Sequence, residues 1–158
     1  NVAASYMERI SKGDIPPVIE EDYKGDFDQI KANINICIET INSLVTDMNQ
    51  LSDKTLKGQL LARADAGKQS GDFATLVKGV NTTLDTLVGY IDVMPAPVMI
   101  VDKEFNIQYM NHTGADVIGK PQSELIGSKC YDGFKTSHCK TGRCACNRAI
   151  LEESKITE

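Results

Sequence analysis

Residues 25–45 read GDFDQIKANINICIETINSLV, and residues 71–91 read GDFATLVKGVNTTLDTLVGYI. The two stretches align at one constant offset, so that their GDF openings coincide and Ile34 falls on Val80. A repeat at this period indicates that one supersecondary unit has been used twice in series.

In both copies, apolar residues recur in steps that alternate between three and four positions. This alternation predicts helices with a heptad seam, although an ordinary amphipathic helix of a monomeric domain is the alternative. A second apolar row, which includes Ile38 and Val77, widens the stripe to a width that favours a four-helix bundle. The seam residues form the candidate relay core, which consists of Phe27, Ile30, Ile34, Cys37, Ile41, Leu44, Phe73, Leu76, Val80, Thr83, Leu87 and Tyr90.

A short helix, a glycine and an extended connector precede each long helix. The candidate connector residues, which are glycine breaks and apolar anchors, are Gly13, Ile15, Val18, Gly58 and Leu60. Extended chain rises about 3.3 Å per residue against about 1.5 Å in a helix, so a connector of this length can return along one helix. The two helices of a unit can therefore lie parallel, and a second chain would supply the other two helices of the bundle.

This pattern resembles tandem HAMP domains, the signal-relay modules of bacterial and archaeal chemoreceptors and sensor kinases. The glycine after the first helix, the apolar connector anchors and the heptad second helix all fit that family. Short motifs such as ISKGDIPP and GDF are similar to those of poly-HAMP methyl-accepting chemotaxis proteins. The resemblance implies two HAMP units, residues 1–47 and 48–93, each a parallel four-helix coiled coil in a homodimer.

The pattern changes from residue 94 onward. Prolines at 95 and 97 end the helix, and two short apolar strands, 98–102 and 107–111, are expected to pair as a hairpin. A short helix over about 112–118 and the turn SELIG follow. This order resembles the first half of a PAS sensor domain, which implies a partial α+β domain over residues 94–158. Residues 147–158 are predicted to be helical, so the PAS sheet would be unfinished. The whole chain is therefore expected to be mostly α.

Charge and hydropathy restrict the partners of the chain. The net charge is −5 at pH 7, and its acidic excess lies within residues 1–93. An acidic helical half argues against a nucleic-acid partner, which would need a basic face. No apolar run approaches the ~18 residues of a membrane span, so no direct membrane contact is expected. Because the chain starts at Asn1, we expect an internal cytoplasmic piece of a longer protein, including the cytoplasmic part of an inner-membrane receptor.

Four of the five cysteines fall within residues 130–146. As a metal site, they would hold zinc or an iron–sulfur cluster. As redox thiols, they would be activated by the basic residues of the same segment. As packing residues, they would act as small hydrophobes. The candidate ligands are Cys130, Cys139, Cys144 and Cys146, with His138 as a substitute.

The remaining cofactor candidate is haem, because some PAS domains bind it through a histidine. The histidines of this chain are His112 and His138, and no CxxCH motif is present. The HAMP part requires no cofactor. Cys37 lies on the heptad seam and is expected to be a core residue of the bundle.

These patterns predict a non-enzymatic signal-transduction relay of a chemoreceptor-like protein. Tandem HAMP bundles would pass conformational change to or from the PAS domain. The expected partners are a second copy of the chain and a downstream signalling domain. Two alternatives stay open: a metal- or redox-sensing cysteine module on a dimeric helical scaffold, and the sensory part of a histidine kinase.

Overall fold

The computed structural model describes residues 2–152. They form seven α-helices, a single 3-10 turn (Ala66–Lys68) and one two-stranded antiparallel sheet. The elements in chain order are α1 (Val2–Ser11), α2 (Asp26–Leu56), α3 (Gly71–Asp92), β1 (Met99–Val101), β2 (Ile107–Met110), α4 (His112–Ile118), α5 (Gln122–Leu125), α6 (Cys130–Phe134) and α7 (Ala145–Glu152).

The chain divides into two compact units. The first unit comprises residues up to 51 together with 64–78, and the second comprises residues 52–63 together with those from 79 onward. Helices α2 and α3 each contribute residues to both units.

The core of the first unit forms where the first connector meets α2. Ile19, Ile34 and Ile38 are buried, and α1 and the connector pack apolar side chains against them. The side chain of Asn35 fixes this contact, because its amide accepts a hydrogen bond from the Ile19 N–H at 2.7 Å and donates one to the Ile19 carbonyl at 3.0 Å. This exchange satisfies connector backbone groups that no strand partner pairs.

Two buried polar side chains of the first unit, Asp47 and Gln69, make a second set of contacts. Lys68 Nζ lies 3.0 Å from Asp47 Oδ1, and Gln69 Nε2 donates to Ser43 Oγ at 3.1 Å. The remaining acceptors, Asp47 Oδ2 and Gln69 Oε1, are buried and have no hydrogen-bond partner within residues 2–152. Heptad periodicity gave no indication of this site, because a buried carboxylate breaks the apolar pattern.

The second unit is built on the hairpin of β1 and β2. Met99 pairs with Met110 and Ile100 pairs with Tyr109, and a register shift follows Ile100. The core beneath the hairpin contains five buried residues, which are Ile107, Met110, Ala115, Leu125 and Cys130.

The Asp102 carboxylate organises the turn between the two strands. It accepts hydrogen bonds from the backbone N–H groups of Glu104 and Asn106 at 3.0 and 2.8 Å. It also accepts from the side-chain amides of Asn106 at 2.8 Å and Gln108 at 2.7 Å. Partial burial raises the pKa of Asp102, but these four donors outweigh that effect and hold the pKa below its ordinary value.

Most predicted elements occur where the sequence placed them. The predicted long helix and the hairpin strands are present with boundaries that differ by at most one residue, and the helix over 112–118 is present with the predicted bounds. Helix α6 and the 3-10 turn were not predicted. The final predicted helix begins earlier, at Ala145, and residues 153–158 of that prediction lie outside the described part of the chain. No helix among residues 2–152 is long and apolar enough to cross a lipid bilayer.

Candidate functional site

The last turn of α3 is hydrogen-bonded to the middle of the hairpin. Tyr109 is fully buried, and its hydroxyl donates to Asp92 Oδ1 over 2.8 Å. The same oxygen accepts a hydrogen bond from Gln122 Nε2 at 3.3 Å and lies 3.6 Å from His112 Nδ1. Burial, together with the hydrogen bond to the Asp92 carboxylate, raises the pKa of Tyr109 far above its ordinary value, so the phenol stays a donor. Asp92 therefore joins α3 to three later segments.

Asn111 makes a second connection at the same junction. Its side chain is fully buried and uses both ends of the amide. The nitrogen donates to the carbonyls of Ile91 at 3.2 Å and Ala96 at 2.9 Å. The oxygen accepts from the N–H groups of Val98 and Gly114, each at 2.9 Å. One side chain thus holds the end of α3, the proline-containing link, β1 and the start of α4, for which Asn111 is the N-cap.

The predicted seam behaves differently from the second apolar row in the single chain. In the second row, Ile38 and Val77 are almost fully buried, whereas Val45 is 47% exposed. In the seam, Ile34 is buried, whereas Phe27 is 61% exposed and Leu87 is 53% exposed. The other exposed members of the predicted seam are Ile30, Cys37, Phe73, Leu76, Thr83 and Tyr90, and the half-buried members are Ile41, Leu44 and Val80. Contacts within one chain therefore bury part of the second row and leave most of the seam open.

The predicted connector residues fall into two groups. Gly13 and Gly58 both end a helix with positive φ, at 78° and 83°, which is the conformation that glycine adopts without strain. Ile15 and Val18 pack against the core of the first unit, and Leu60 is half-buried in the second connector.

All four clustered cysteines line one cavity. A space of about 210 Å³ is bordered by Cys130, Cys139, Cys144 and Cys146, with His138 at its edge. Each of the four is a free thiol. Cys130 begins α6, Cys144 precedes α7, and Cys146 lies within α7. The Sγ of Cys139 lies 3.2 Å from the hydroxyl of Thr136. The structure thus brings the predicted ligand set to one place.

The thiols influence one another electrostatically. Burial, with smaller contributions from the other three thiols, raises the pKa of Cys130 to about 11. Burial also raises the pKa of Cys146, aided by the neighbouring Cys144. Both thiols are therefore protonated at neutral pH. Within residues 2–152, no three histidine, cysteine or acidic side chains are already arranged as ligands of one metal ion.

The two histidines occupy separate places. His138 borders the cysteine cavity, whereas His112 begins α4 beside Asp92. His112 is exposed and adjoins the helix junction rather than the cysteines.

Two family models match the chain. Residues 1–43 match the HAMP domain. Residues 91–158 match the PAS fold. No curated protein and no solved structure matches the chain. Neither matched segment covers residues 44–90, so the second HAMP unit stays a prediction. A HAMP domain together with a PAS fold points to a sensory or relay module of signal transduction.

The sequence did not identify the residues that join α3 to the PAS fold. Asp92, Tyr109 and Gln122 carry no recognisable motif, because their roles depend on contacts between segments distant in sequence. Asn111 did carry a signal, since an asparagine between a strand and a helix is a typical N-cap.

Proposed function

We propose that this chain is the relay segment of a chemoreceptor-like protein. Two HAMP units, residues 1–47 and 48–93, form parallel four-helix bundles in a homodimer. They pass conformational change to or from the PAS domain that follows, and onward to a downstream signalling domain of the same chain. The segment itself has no enzymatic activity and works in the cytoplasm, without a nucleic-acid partner or membrane contact of its own.

The hydrogen bonds at the end of α3 carry this proposal. A relay needs a firm mechanical connection between its helix and its sensor. Asp92 with Tyr109, and Ile91 with Asn111, supply one through buried or half-buried side chains. A rotation or shift of α3 therefore must either move β2 or break these hydrogen bonds.

The open seam supports the homodimeric part of the proposal. Large apolar side chains at 3-4 spacing are exposed in one chain, including Phe27, Leu76, Leu87 and Tyr90. Burial of a large apolar side chain contributes roughly 1.5–3 kcal/mol, so a second copy that covers this seam would be strongly stabilised. Parallel pairing of identical seams also places each residue opposite its own copy.

Signalling by such a bundle requires two packings that differ by only a few kcal/mol. Cys37, Thr83 and Tyr90 fill the seam less well than Ile or Leu would. We propose that these three positions keep the free energies of the two packings close to each other. Replacement of Thr83 with Ile is expected to lock one state, and an unchanged signalling output of the intact parent protein would contradict this assignment.

The relay is tested by cross-linking at the seam. With Leu87→Cys in a Cys37→Ser background as a probe, the rate of disulfide formation at position 87 between chains is compared with and without Tyr109→Phe. The second substitution removes only the hydroxyl that contacts Asp92, so we expect a changed cross-linking rate. Tyr131→Phe, in the same half of the chain, is the matched control and should leave the rate unchanged. Equal rates in all three proteins would contradict mechanical coupling.

The parallel homodimer is tested with the native Cys37. Mild oxidation should produce a Cys37–Cys37 cross-link, identified by peptide mapping, because a parallel seam places the two copies together. Glu39→Cys in a Cys37→Ser background is the control, since residue 39 lies off the seam. A protein that stays monomeric, or that cross-links at position 39 and not at 37, would contradict this arrangement.

A histidine kinase is the second candidate for the parent protein. HAMP domains and PAS folds together support a signal-transduction role without specifying the output. The sequence downstream distinguishes the two: a long methylatable hairpin identifies a receptor, and an H-box with an ATP lid identifies a kinase.

A further inference from the structure

The loop between α6 and α7 lacks a hydrophobic core of its own. Residues 135–144 read KTSHCKTGRC and contain no aliphatic or aromatic side chain apart from the histidine ring. Lys135 and Lys140 adopt positive φ, at 47° and 59°, which non-glycine residues rarely do. Ordering such a segment costs roughly 1–2 kcal/mol per residue, and no apolar burial within the loop offsets that cost.

Backbone hydrogen bonds in this loop are local. Cys139 donates to Thr136, Thr141 to His138 and Cys144 to Thr141, each over 3.1–3.2 Å. These are successive single turns, and the two cysteines within them, Cys139 and Cys144, both line the same cavity. These turns border the cavity of about 210 Å³ that all four thiols line together with side chains that include Met99 and Phe134.

We infer that Cys130, Cys139, Cys144 and Cys146 form a four-thiolate site for a soft metal centre, either a zinc ion or an iron–sulfur cluster. Four cysteine sulfurs from a short loop and its flanking helices are the ligand set that both centres take in proteins. The metal would supply the core that residues 135–144 lack. This site goes beyond the relay function and does not depend on it.

Binding must move the sulfurs, because no three potential ligands in the described chain are already arranged around one point. For zinc, four thiols each give a proton to water and four Zn–S bonds form, which leaves a site with a net charge of −2. Lys135, Lys140 and Arg143 stand in the same loop and offset that charge. Because ligand deprotonation and loop ordering accompany binding, the loop should become ordered as the metal enters.

The first experiment is metal analysis of the unmodified chain, purified without oxygen and without a polyhistidine tag. We expect either about one zinc per chain in a colourless protein, or iron with acid-labile sulfide and a visible absorption band. Either result supports the site and identifies the centre. A protein that contains no metal and takes up neither zinc nor Co²⁺ after treatment with a chelator and a thiol reductant overturns it.

Variants then assign the ligands. Cys139→Ser and Cys144→Ser should each weaken zinc or Co²⁺ binding by more than about tenfold. Mutation of residues that only hydrogen-bond to metal ligands already lowers metal affinity by about that much. Cys37→Ser is the matched control, because Cys37 lies on α2 and is exposed. Co²⁺ in the unmodified chain should give the intense visible bands of tetrahedral thiolate coordination. Unchanged binding in both loop variants would overturn the assignment.

Two further measurements separate a ligand role from a folding role. Hydrogen exchange of β1 and β2 should be the same in Cys139→Ser and in the metal-depleted parent, whereas exchange of residues 135–144 should slow when metal binds. His138→Ala should retain metal if the four thiols are the ligands. Loss of metal in that variant would contradict the four-thiolate set in favour of three thiolates and His138.

Discussion

Tyr109 and Asp92 are hydrogen-bonded across 17 residues of sequence, from the middle of β2 to the last residue of α3. The phenol is fully buried, and the carboxylate is only 15% exposed. Low exposure strengthens a charge-assisted hydrogen bond relative to one in water. This pair attaches the end of α3 to β2 within the segment that matches the PAS fold.

Replacement of Tyr109 with Phe should lower the free energy of unfolding by about 1.5–3 kcal/mol, the usual contribution of a hydrogen bond to a charged group. Gln122 and His112 remain beside Asp92 and limit the loss. Urea unfolding measures the difference, and hydrogen exchange should speed up at the last turn of α3. Tyr131→Phe is the control, because the contacts of that side chain with Phe105 and Lys140 are made by its ring, and its effect should stay within about 0.5 kcal/mol. Equal effects in the two variants would contradict a special role for Tyr109.

Gly13 and Gly58 offer a matched test of strain and packing. Both have φ near 80°, so an alanine at either position costs about 1–2 kcal/mol. At Gly13 the added methyl would meet no atom within 4 Å, whereas at Gly58 it would overlap with the Cγ2 atom of Ile100. Gly58→Ala should therefore lower the free energy of unfolding by a further 1–3 kcal/mol, roughly the cost of overpacking.

A double-mutant cycle isolates that overlap. In an Ile100→Ala background, Gly58→Ala should cost only about as much as Gly13→Ala does in the parent, because the obstructing methyl group has been removed. Thermal or urea unfolding of the four proteins gives the coupling energy. A coupling energy near zero would show that Gly58 is required for its φ alone.

The sequence predicted local structure well because local signals determine it. Apolar residues in alternating three- and four-residue steps indicate a helix. Gly13 and Gly58 end helices because glycine adopts positive φ without strain, which is a property of the residue itself. Pairing between segments was harder to predict. Both apolar rows of α2 and α3 look alike in sequence, yet Ile38 and Val77 are buried within one chain while Leu87 stays open. The path of the connectors determines which row is buried within one chain. The periodicity of apolar residues does not predict that path.

In the candidate sites too, residues close in sequence were predicted, whereas contacts between distant segments were not. Clustering in sequence identified the four cysteines, but a segment of this length could extend over tens of ångströms, so their shared cavity depends on the tight turns that residues 136–144 adopt. The junction of Asp92, Tyr109 and Asn111 was not predicted, since its members are spread across 20 residues and each is common in other roles. Buried polar residues such as Asp47 are similarly missed by patterns that count apolar positions.

The seam makes a prediction about assembly. If a second copy covers the seam, Leu87→Ser removes a large apolar contact from each chain, which is about 3 kcal/mol for the pair at the lower end of the usual range. The dimer dissociation constant should then rise about 100-fold. Sedimentation equilibrium measures it. Ile36→Ser is the control, because Ile36 is 61% exposed on α2 and lies on neither apolar row. Equal dissociation constants for the two variants would contradict the seam as the interface.

The Asp102 turn predicts a specific acid sensitivity. Its pKa is lower in the folded chain than the ordinary value of about 3.9, so its stabilisation is complete above that value and is lost as the pH falls through the folded pKa. Asp102→Asn should lower the free energy of unfolding by about 1–2 kcal/mol at pH 7, because an amide oxygen accepts the four hydrogen bonds less strongly than a carboxylate and the amide nitrogen faces donors. The difference from the parent should shrink below about pH 4, where Asp102 of the unfolded parent binds a proton, and should be smallest below the folded pKa. Urea unfolding at pH 7, 5 and 3 measures this trend, with the exposed Asp116→Asn as control. A difference that is independent of pH would show that the geometry of the side chain, and not its charge, holds the turn.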